Sequence, residues 1–203
     1  MSGSANLAKL QKSPKSDDRE NIRYSYEDYA AWQLAEGERF ELIEGVPYAM
    51  AAPNLAHQDI AGEIYSQLRS FLRGRNCRAF IAPVDVCLNA KGNKDKDVVQ
   101  PDVFVVCDPN KRKTGKYING VPDFVVEVLS ANYRHDMLVK FDKYRKSGVR
   151  EYWIIDPERK TVQKFILNDG QYYLQANPED KTKIAIEVLP GCEIDLDLVF
   201  EGV

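Results

Sequence analysis

The sequence is poor in most of the residues that announce a chemistry. It holds two histidines in 203 residues and no GxSxG elbow, so a nucleophilic triad has little to be built from. Its four cysteines, Cys77, Cys87, Cys107 and Cys192, form no CxxC pair and have no close histidine. That spacing argues against structural zinc and against a disulfide framework, and leads us to expect reduced thiols in a cytoplasmic protein. Gly-rich phosphate loops of the GxGxxG or GxxxxGK kind are missing, so no nucleotide cofactor is expected. No apolar run approaches membrane-spanning length, and the polar opening segment lacks the apolar centre of a signal peptide, so no membrane association is expected. The net charge of -3 also denies the chain a general attraction to nucleic acid; any such contact has to rest on local basic patches.

What is present is an ordinary globular composition, 44% apolar and 29% charged, in a chain long enough for one well-filled core. Residues 1–21 are Ser, Lys, Asp and Gln with little apolar content and read as a disordered polar tail; residues 22–203 read as a single domain. Ser25 and Asp28 suggest a helix start, with an apolar face continuing towards Gly37. Phe40 to Glu44 and Pro47 to Ala51 read as a hairpin around Gly45. Leu55, Ile60, Ile64, Leu68 and Leu72 recur at helical spacing. Arg78 to Leu88 and Val98 to Cys107 read as strands, and the segments from Val162 to the terminal EIDLDLVF as an antiparallel extension. This order predicts an α/β or α+β domain with a mixed sheet.

The most informative stretch runs from Pro122 to Asp156. Phe124, Val125, Val126, Val128 and Leu129 form a nearly continuous apolar run, as in a strand buried on both faces. Glu127 interrupts it. A carboxylate there costs several kcal/mol unless it is paired, hydrogen-bonded or bound to a metal. Asp102, after Pro101, stands at the start of another apolar strand. Two carboxylates on neighbouring strands can converge on one Mg²⁺, which takes oxygen ligands and keeps waters for a phosphate substrate. A strand-edge cap for Asp102 and a structural ion pair for Glu127 remain open alternatives. Between the strands, Asn132 to Ser147 reads as a helix with Met137, Leu138, Phe141 and Tyr144 on its apolar arc. Lys140 falls at the arc's edge, one turn after Asp136, where it can snorkel from the packed face.

At this point six ordered blocks, FELIEG (from Phe40), AHQ (from Ala56), QPDVFVV (from Gln100), PDFVVEVLS (from Pro122), DMLVKFDKYRKSGVREYWIIDP (from Asp136) and the tail LPGCEIDLDLVF, together resemble the PD-(D/E)XK nucleases of the restriction endonuclease-like superfamily. More narrowly, they resemble the Uma-two family of endonucleases, from about residue 24 to the C-terminus. The resemblance implies a mixed central β-sheet flanked by helices, with extra antiparallel strands at both ends. It implies hydrolysis of DNA phosphodiester bonds with Mg²⁺, which Mn²⁺ can replace, by a homodimer. Asp102 and Glu127 would ligate the metal, with the Val128 backbone carbonyl as a further ligand. The lysine expected two residues after the glutamate is Leu129 here, and Lys140 is the matching position on the following helix. Ser130-Ala131-Asn132 replaces the family's SPS. Glu41, His57 and Asp123 are accessory candidates, with Asp123 supporting the ligating residues from behind or serving the fold, and a hydrogen-bonded, partly buried role open for His57.

Basic residues that would contact phosphates are Lys91, Lys94, Lys96, Lys111, Arg112, Lys113, Lys116, Arg134, Lys143, Arg145 and Lys146. Two further readings stand beside the nuclease. One is a nuclease-fold protein that binds nucleic acid or a protein partner without cutting. The other is an interaction protein in which Glu127 simply pairs with Lys140.

Overall fold

The structure, a computed structural model, describes residues 22–130, 133–175 and 182–203, without the side chains of 133–137. The expected tail (1–21), residues Ala131 and Asn132, and the side chains of Arg134, Asp136 and Met137 therefore lie outside the described residues. In chain order the elements are α1 (Tyr26–Ala30), β1 (Phe40–Ile43), β2 (Val46–Ala49), α2 (Leu55–Phe71), β3 (Arg78–Ile81), β4 (Val86–Cys87), β5 (Val98–Val99), β6 (Val103–Val106), β7 (Ile118–Asn119), β8 (Phe124–Val128), α3 (Tyr133–Ser147), β9 (Glu151–Asp156), β10 (Thr161–Asn168), β11 (Gln171–Gln175), β12 (Lys183–Ala185), β13 (Glu193–Asp195) and α4 (Leu196–Val199).

The strands build a six-stranded sheet in the order β11-β10-β9-β8-β6-β3, a five-stranded sheet β2-β1-β5-β4-β7, and the pair β12-β13. Within the large sheet, β8 and β9 run parallel and the other neighbours antiparallel. Parallel neighbours need a crossover, and α3 supplies it. Alternation along β6, β8 and β9 then divides the residues. Val103, Val105, Phe124, Val126, Trp153 and Ile155 pack with Ile60, Ile64 and Leu68 of α2. Phe104, Val106, Val125, Tyr152 and Ile154 pack with Tyr144, Val149 and the small sheet's Val86 and Val99. Glu127 and Asp102 fall by parity on this second side, under α3.

Local signals explain most boundaries. Ser25 accepts from the Asp28 amide while the Asp28 carboxylate accepts from the Ser25 amide, so α1 starts where expected. It ends at Ala30 rather than near Gly37, because Trp32 leaves the helix to join Tyr26, Phe40, Leu42 and Val98 in a third cluster. Glu44 and Gly45 turn the β1–β2 hairpin at φ 54° and 77°, the left-handed pair of a two-residue hairpin turn.

Four expectations need correction. Val98 to Cys107 is two strands in two different sheets, and Arg78 to Leu88 likewise splits into β3 and β4. Both breaks fall at a proline, Pro101 and Pro83, which has no N–H for a ladder. The EIDLDLVF tail pairs only through Asp195, whose carboxylate then accepts from the Asp197 amide and starts α4. Finally, Cys77 and Cys107 are joined in a disulfide, contrary to the expected reduced thiols. The β3–β6 pairing of Arg78 with Val106 sets these flanking cysteines opposite one another, a proximity hidden by their 30-residue separation. Cys87 and Cys192 are free and buried. No described helix is long and apolar enough to cross a membrane.

One buried ion cluster ties α3 to the small sheet. Asp97 accepts from the Glu44 amide at 2.7 Å, the Asn89 side-chain amide at 2.8 Å and Lys143 Nζ at 3.0 Å. Burial alone would raise the Asp97 carboxyl, but these donors outweigh it and hold it below the usual aspartate range. Replacing Asp97 by Ala leaves the buried Lys143 with the exposed Glu44 as its remaining partner, and is expected to cost about 3 kcal/mol, the low end for breaking a buried pair. Chemical denaturation at neutral pH checks this. The wild type's share of that stability should be present above the ordinary aspartate pKa and fade as acid drops the pH through the lowered one.

Candidate active site

Strand register brings the two sequence-distant carboxylates together. The β6–β8 ladder pairs Val103 with Val126 and Phe104 with Val125. One step further, Asp102 stands opposite Glu127 on the same face, the arrangement in which cross-strand side chains lie closest. The Asp102 carboxylate also accepts from the Val128 backbone N–H at 2.8 Å, which gives that donor a partner where the β6–β8 pairing ends.

Three other elements converge on this pair. From α3, Lys140 Nζ lies 3.2 Å from Glu127 Oε1 and 3.0 Å from Glu41 Oε1. Tyr144, one turn later, donates to the same Glu127 oxygen at 2.6 Å. From β1, the buried Glu41 accepts the Gln100 backbone N–H at 2.7 Å. From the first turn of α2, His57 Nε2 sits 3.1 Å from Asp102 Oδ2, while its buried Nδ1 has no hydrogen-bond partner among the described residues. Glu41, His57, Asp102, Glu127 and Lys140 line a cavity of about 240 Å³, walled by Ile43, Tyr48, Met50 and Val139 and continuing to Ala51, Ala52 and Pro53.

The charges do not balance. Glu41, Asp102 and Glu127 face one ammonium, and Lys140 therefore serves more than one partner. Burial pushes Glu127 up, Lys140 pulls it down, and Asp102 and Glu41 push it up again, leaving it at about 8. A simple Lys140–Glu127 pair would have lowered it. Burial opposes the charge on Lys140 too, but Glu127, Glu41 and Asp102 together raise its pKa well above the usual lysine range. Lys140 thus stays cationic while Glu127 holds a proton near neutrality. Burial foremost, then the charge on Glu127, keeps the Tyr144 hydroxyl protonated.

A divalent cation is the species that would correct this imbalance. Among the described residues no group of three or more His, Cys, Asp or Glu side chains could hold a metal ion. Asp102 and Glu127 with the Val128 carbonyl form an all-oxygen partial set, which fits Mg²⁺ or Mn²⁺ completed by waters and does not fit a thiolate or imidazole metal site.

Of the residues singled out in the sequence, Asp102, Glu127, Lys140, Glu41, His57 and Val128 all line the cavity. Asp123 does not; it accepts from the Cys107 amide at 2.7 Å and from Arg150 at 2.6 Å, bracing the far ends of β6 and β8. Tyr144, expected on the apolar arc of its helix, and Gln100, the first residue of QPDVFVV, contribute contacts to which the sequence assigned no role. Several expected phosphate contacts are already engaged. Lys143 is buried against Asp97 and Glu44, Arg145 and Lys146 pair with Asp142, and Lys111 and Arg112 bond backbone carbonyls.

Comparison with known proteins follows the geometry. The sequence model of a family described as "Uma2: Putative restriction endonuclease" matches residues 26–197. An uncharacterized protein of Synechocystis sp. is 25% identical over 182 residues, covering 89% of this chain and 93% of that protein. The fold is similar to the crystal structure of "a putative nuclease belonging to DUF820" from Anabaena variabilis, with a TM-score of 0.67 and 21% identity over 87% of this chain and 97% of that one. At that identity the likeness is one of fold.

The raised Glu127 carboxyl gives a pH signature. A folded-state pKa above the unfolded one means that the folded chain binds the extra proton, so the stabilisation is complete below the ordinary glutamate range and is lost as pH rises through about 8. Metal-free protein should therefore become less stable between pH 5 and pH 8 (roughly, from the unperturbed value upward). Glu127→Gln should flatten this slope, and added Mg²⁺ should oppose it. Denaturant midpoints across that range, with and without EDTA, provide the measurement.

Proposed function

The chain belongs to the Uma2 family with a restriction endonuclease-like fold, and from that premise we propose that it is a metal-dependent endonuclease that hydrolyses phosphodiester bonds in DNA. The observation that carries this reading is the alignment of Asp102 with Glu127 across two strands beneath the Lys140 ammonium. Asp102, Glu127 and the Val128 carbonyl would hold Mg²⁺, with Mn²⁺ able to substitute; when bound, the metal supplies polarisation of a phosphoryl oxygen and a lowered pKa for its water.

The chain's own groups have distinct tasks. Lys140 has three donors, of which Glu41 and Glu127 take two. The third is free to orient the attacking water or to stabilise negative charge growing on the phosphoryl oxygens. Tyr144 fixes the Glu127 oxygen from below, so the carboxylate does not swing as its charge changes. His57 and the Val128 amide both hold Asp102 Oδ2, which orients that carboxylate. The Gln100 amide does the same for Glu41. Cutting both strands of a duplex is simplest with two such sites, hence a homodimer. A simple structural ion pair would account for Lys140 and Glu127, but not for the additional Glu41, Asp102 and His57 gathered on an open cavity.

Purified protein should nick plasmid DNA when Mg²⁺ or Mn²⁺ is added and stop when EDTA is present. Asp102→Ala and Glu127→Ala should abolish detectable cutting, and Lys140→Met should slow it by about 100-fold or more. Cutting that survives both carboxylate substitutions would remove this site from consideration. Binding of DNA by a folded wild type that never cuts would favour the non-cleaving nuclease-fold reading.

A further inference from the structure

We propose that Arg39 is the phosphate receptor of this cavity, the side chain that holds a DNA backbone phosphate against the carboxyl cluster; the assignment rests on the nuclease reading and names a contact within it. Arg39 immediately precedes β1, and its carbonyl accepts the Met50 N–H at 2.9 Å, which carries the hairpin ladder one pair beyond Phe40 and Ala49. Strand alternation then sets Arg39, Glu41 and Ile43 on one face, and all three line the cavity, as do Tyr48 and Met50 of the facing strand. Arg39 is thus two residues from a carboxylate of the cluster, on the same wall.

Among the described residues, Arg39 and Lys140 are the two lysine or arginine side chains in that lining. Lys140 is committed to Glu41 and Glu127. Arg39 is half-buried, and its guanidinium makes no ion pair or hydrogen bond with any described residue. The nearby carboxyls have their own donors: Lys140 and the Gln100 amide for Glu41, His57 and the Val128 amide for Asp102, Lys140 and Tyr144 for Glu127. Five N–H donors in a rigid fork are therefore unclaimed at the edge of a cavity rich in negative charge.

An anionic strand entering such a cavity is repelled by the carboxyls. Asp102 and Glu127 would hold a metal that offsets that repulsion at the floor, and a cation is still needed at the wall. Two guanidinium N–H groups match two non-bridging oxygens of a phosphodiester, which an ammonium meets only as a point charge. Arg39 thereby sets where along the strand the reacting phosphate lies, and it acts on binding more than on the chemical step.

The test uses the full chain with Glu127→Gln as the non-cutting parent, in Mg²⁺, with a short fluorescent DNA duplex titrated over a series of salt concentrations. Arg39→Ala added to this parent should weaken binding about tenfold and reduce the slope of log affinity against log salt by about 0.9, the value of one phosphate contact. Arg39→Lys should keep most of the slope while losing part of the affinity. In the cutting-competent wild type, Arg39→Ala should raise KM more than it lowers kcat. An unchanged melting temperature is expected, because the side chain has no partner to lose. Equal affinity and slope for the parent and Arg39→Ala would overturn the assignment while leaving the nuclease reading intact. A parent and wild type that bind and cut no DNA would overturn both.

Discussion

A carboxyl group buried in the middle of a packed sheet is the constraint around which this molecule is arranged. Glu127 stands between Val126 and Val128 on a strand buried from end to end, and its charge would be intolerable there without partners. Lys140 and Tyr144 answer that demand. Yet the answer is incomplete, since burial and the neighbouring carboxyls still leave Glu127 raised. Stability alone does not favour such a cluster: apolar side chains of similar volume would do as well or better than buried ion pairs. Three carboxyls and an imidazole around one ammonium, opening on a cavity, make sense as a place prepared for a further positive charge and an anion.

The QPD triplet shows how one short segment can organise two sheets. Gln100 ends the small-sheet path of β5, and its amide holds Glu41; Pro101 breaks the ladder; Asp102 starts the large-sheet path of β6 and takes the Val128 amide. Gln100 also spends its side-chain amide on Asp85 and Tyr29, at 2.8 Å and 3.1 Å. The residue type at each of the three positions is thus tied to a task, and Glu41 and Asp102 are each held by a backbone donor in addition to a side chain. Backbone donors cannot swing away, which suits a site that must keep its geometry when charge moves.

Much of this was legible in the sequence, for identifiable reasons. The apolar run broken by Glu127, the hairpin around Gly45 and the crossover helix all carry local patterns, and the mixed sheet follows from their order. The candidate residues Asp102, Glu127 and Lys140 were singled out from residue type, spacing and the family resemblance, and they line one cavity. What escaped has no local signature. The Cys77–Cys107 disulfide depends on the β3–β6 register. Lys143 looks like a surface lysine on a polar helix flank, but Asp97 draws it inside. Tyr144 reads as an apolar-arc residue because only the fold reveals what its hydroxyl meets, and Arg39 is unremarkable until the hairpin places it on the cavity wall.

The displaced lysine illustrates the general point. Leu129 has the same parity along β8 as Glu127 and lines the cavity, so a lysine there could reach the carboxylates from the strand. In this chain the ammonium comes instead from α3, over the same floor and 3.2 Å from Glu127. The chemistry requires a cation at a point in space, not at a point in sequence. Moving it to a helix adds a requirement, however: the helix must be docked as firmly as the strand it replaces. Lys143, less than one turn after Lys140, meets it. Its ammonium reaches Asp97 and Glu44, and Asp97 in turn holds the amide of Glu44 in the hairpin turn that carries Glu41. The same buried carboxylate therefore positions Lys140 from one side and Glu41 from the other, so the separation of the cation from Glu41 is set by an anchor that touches neither.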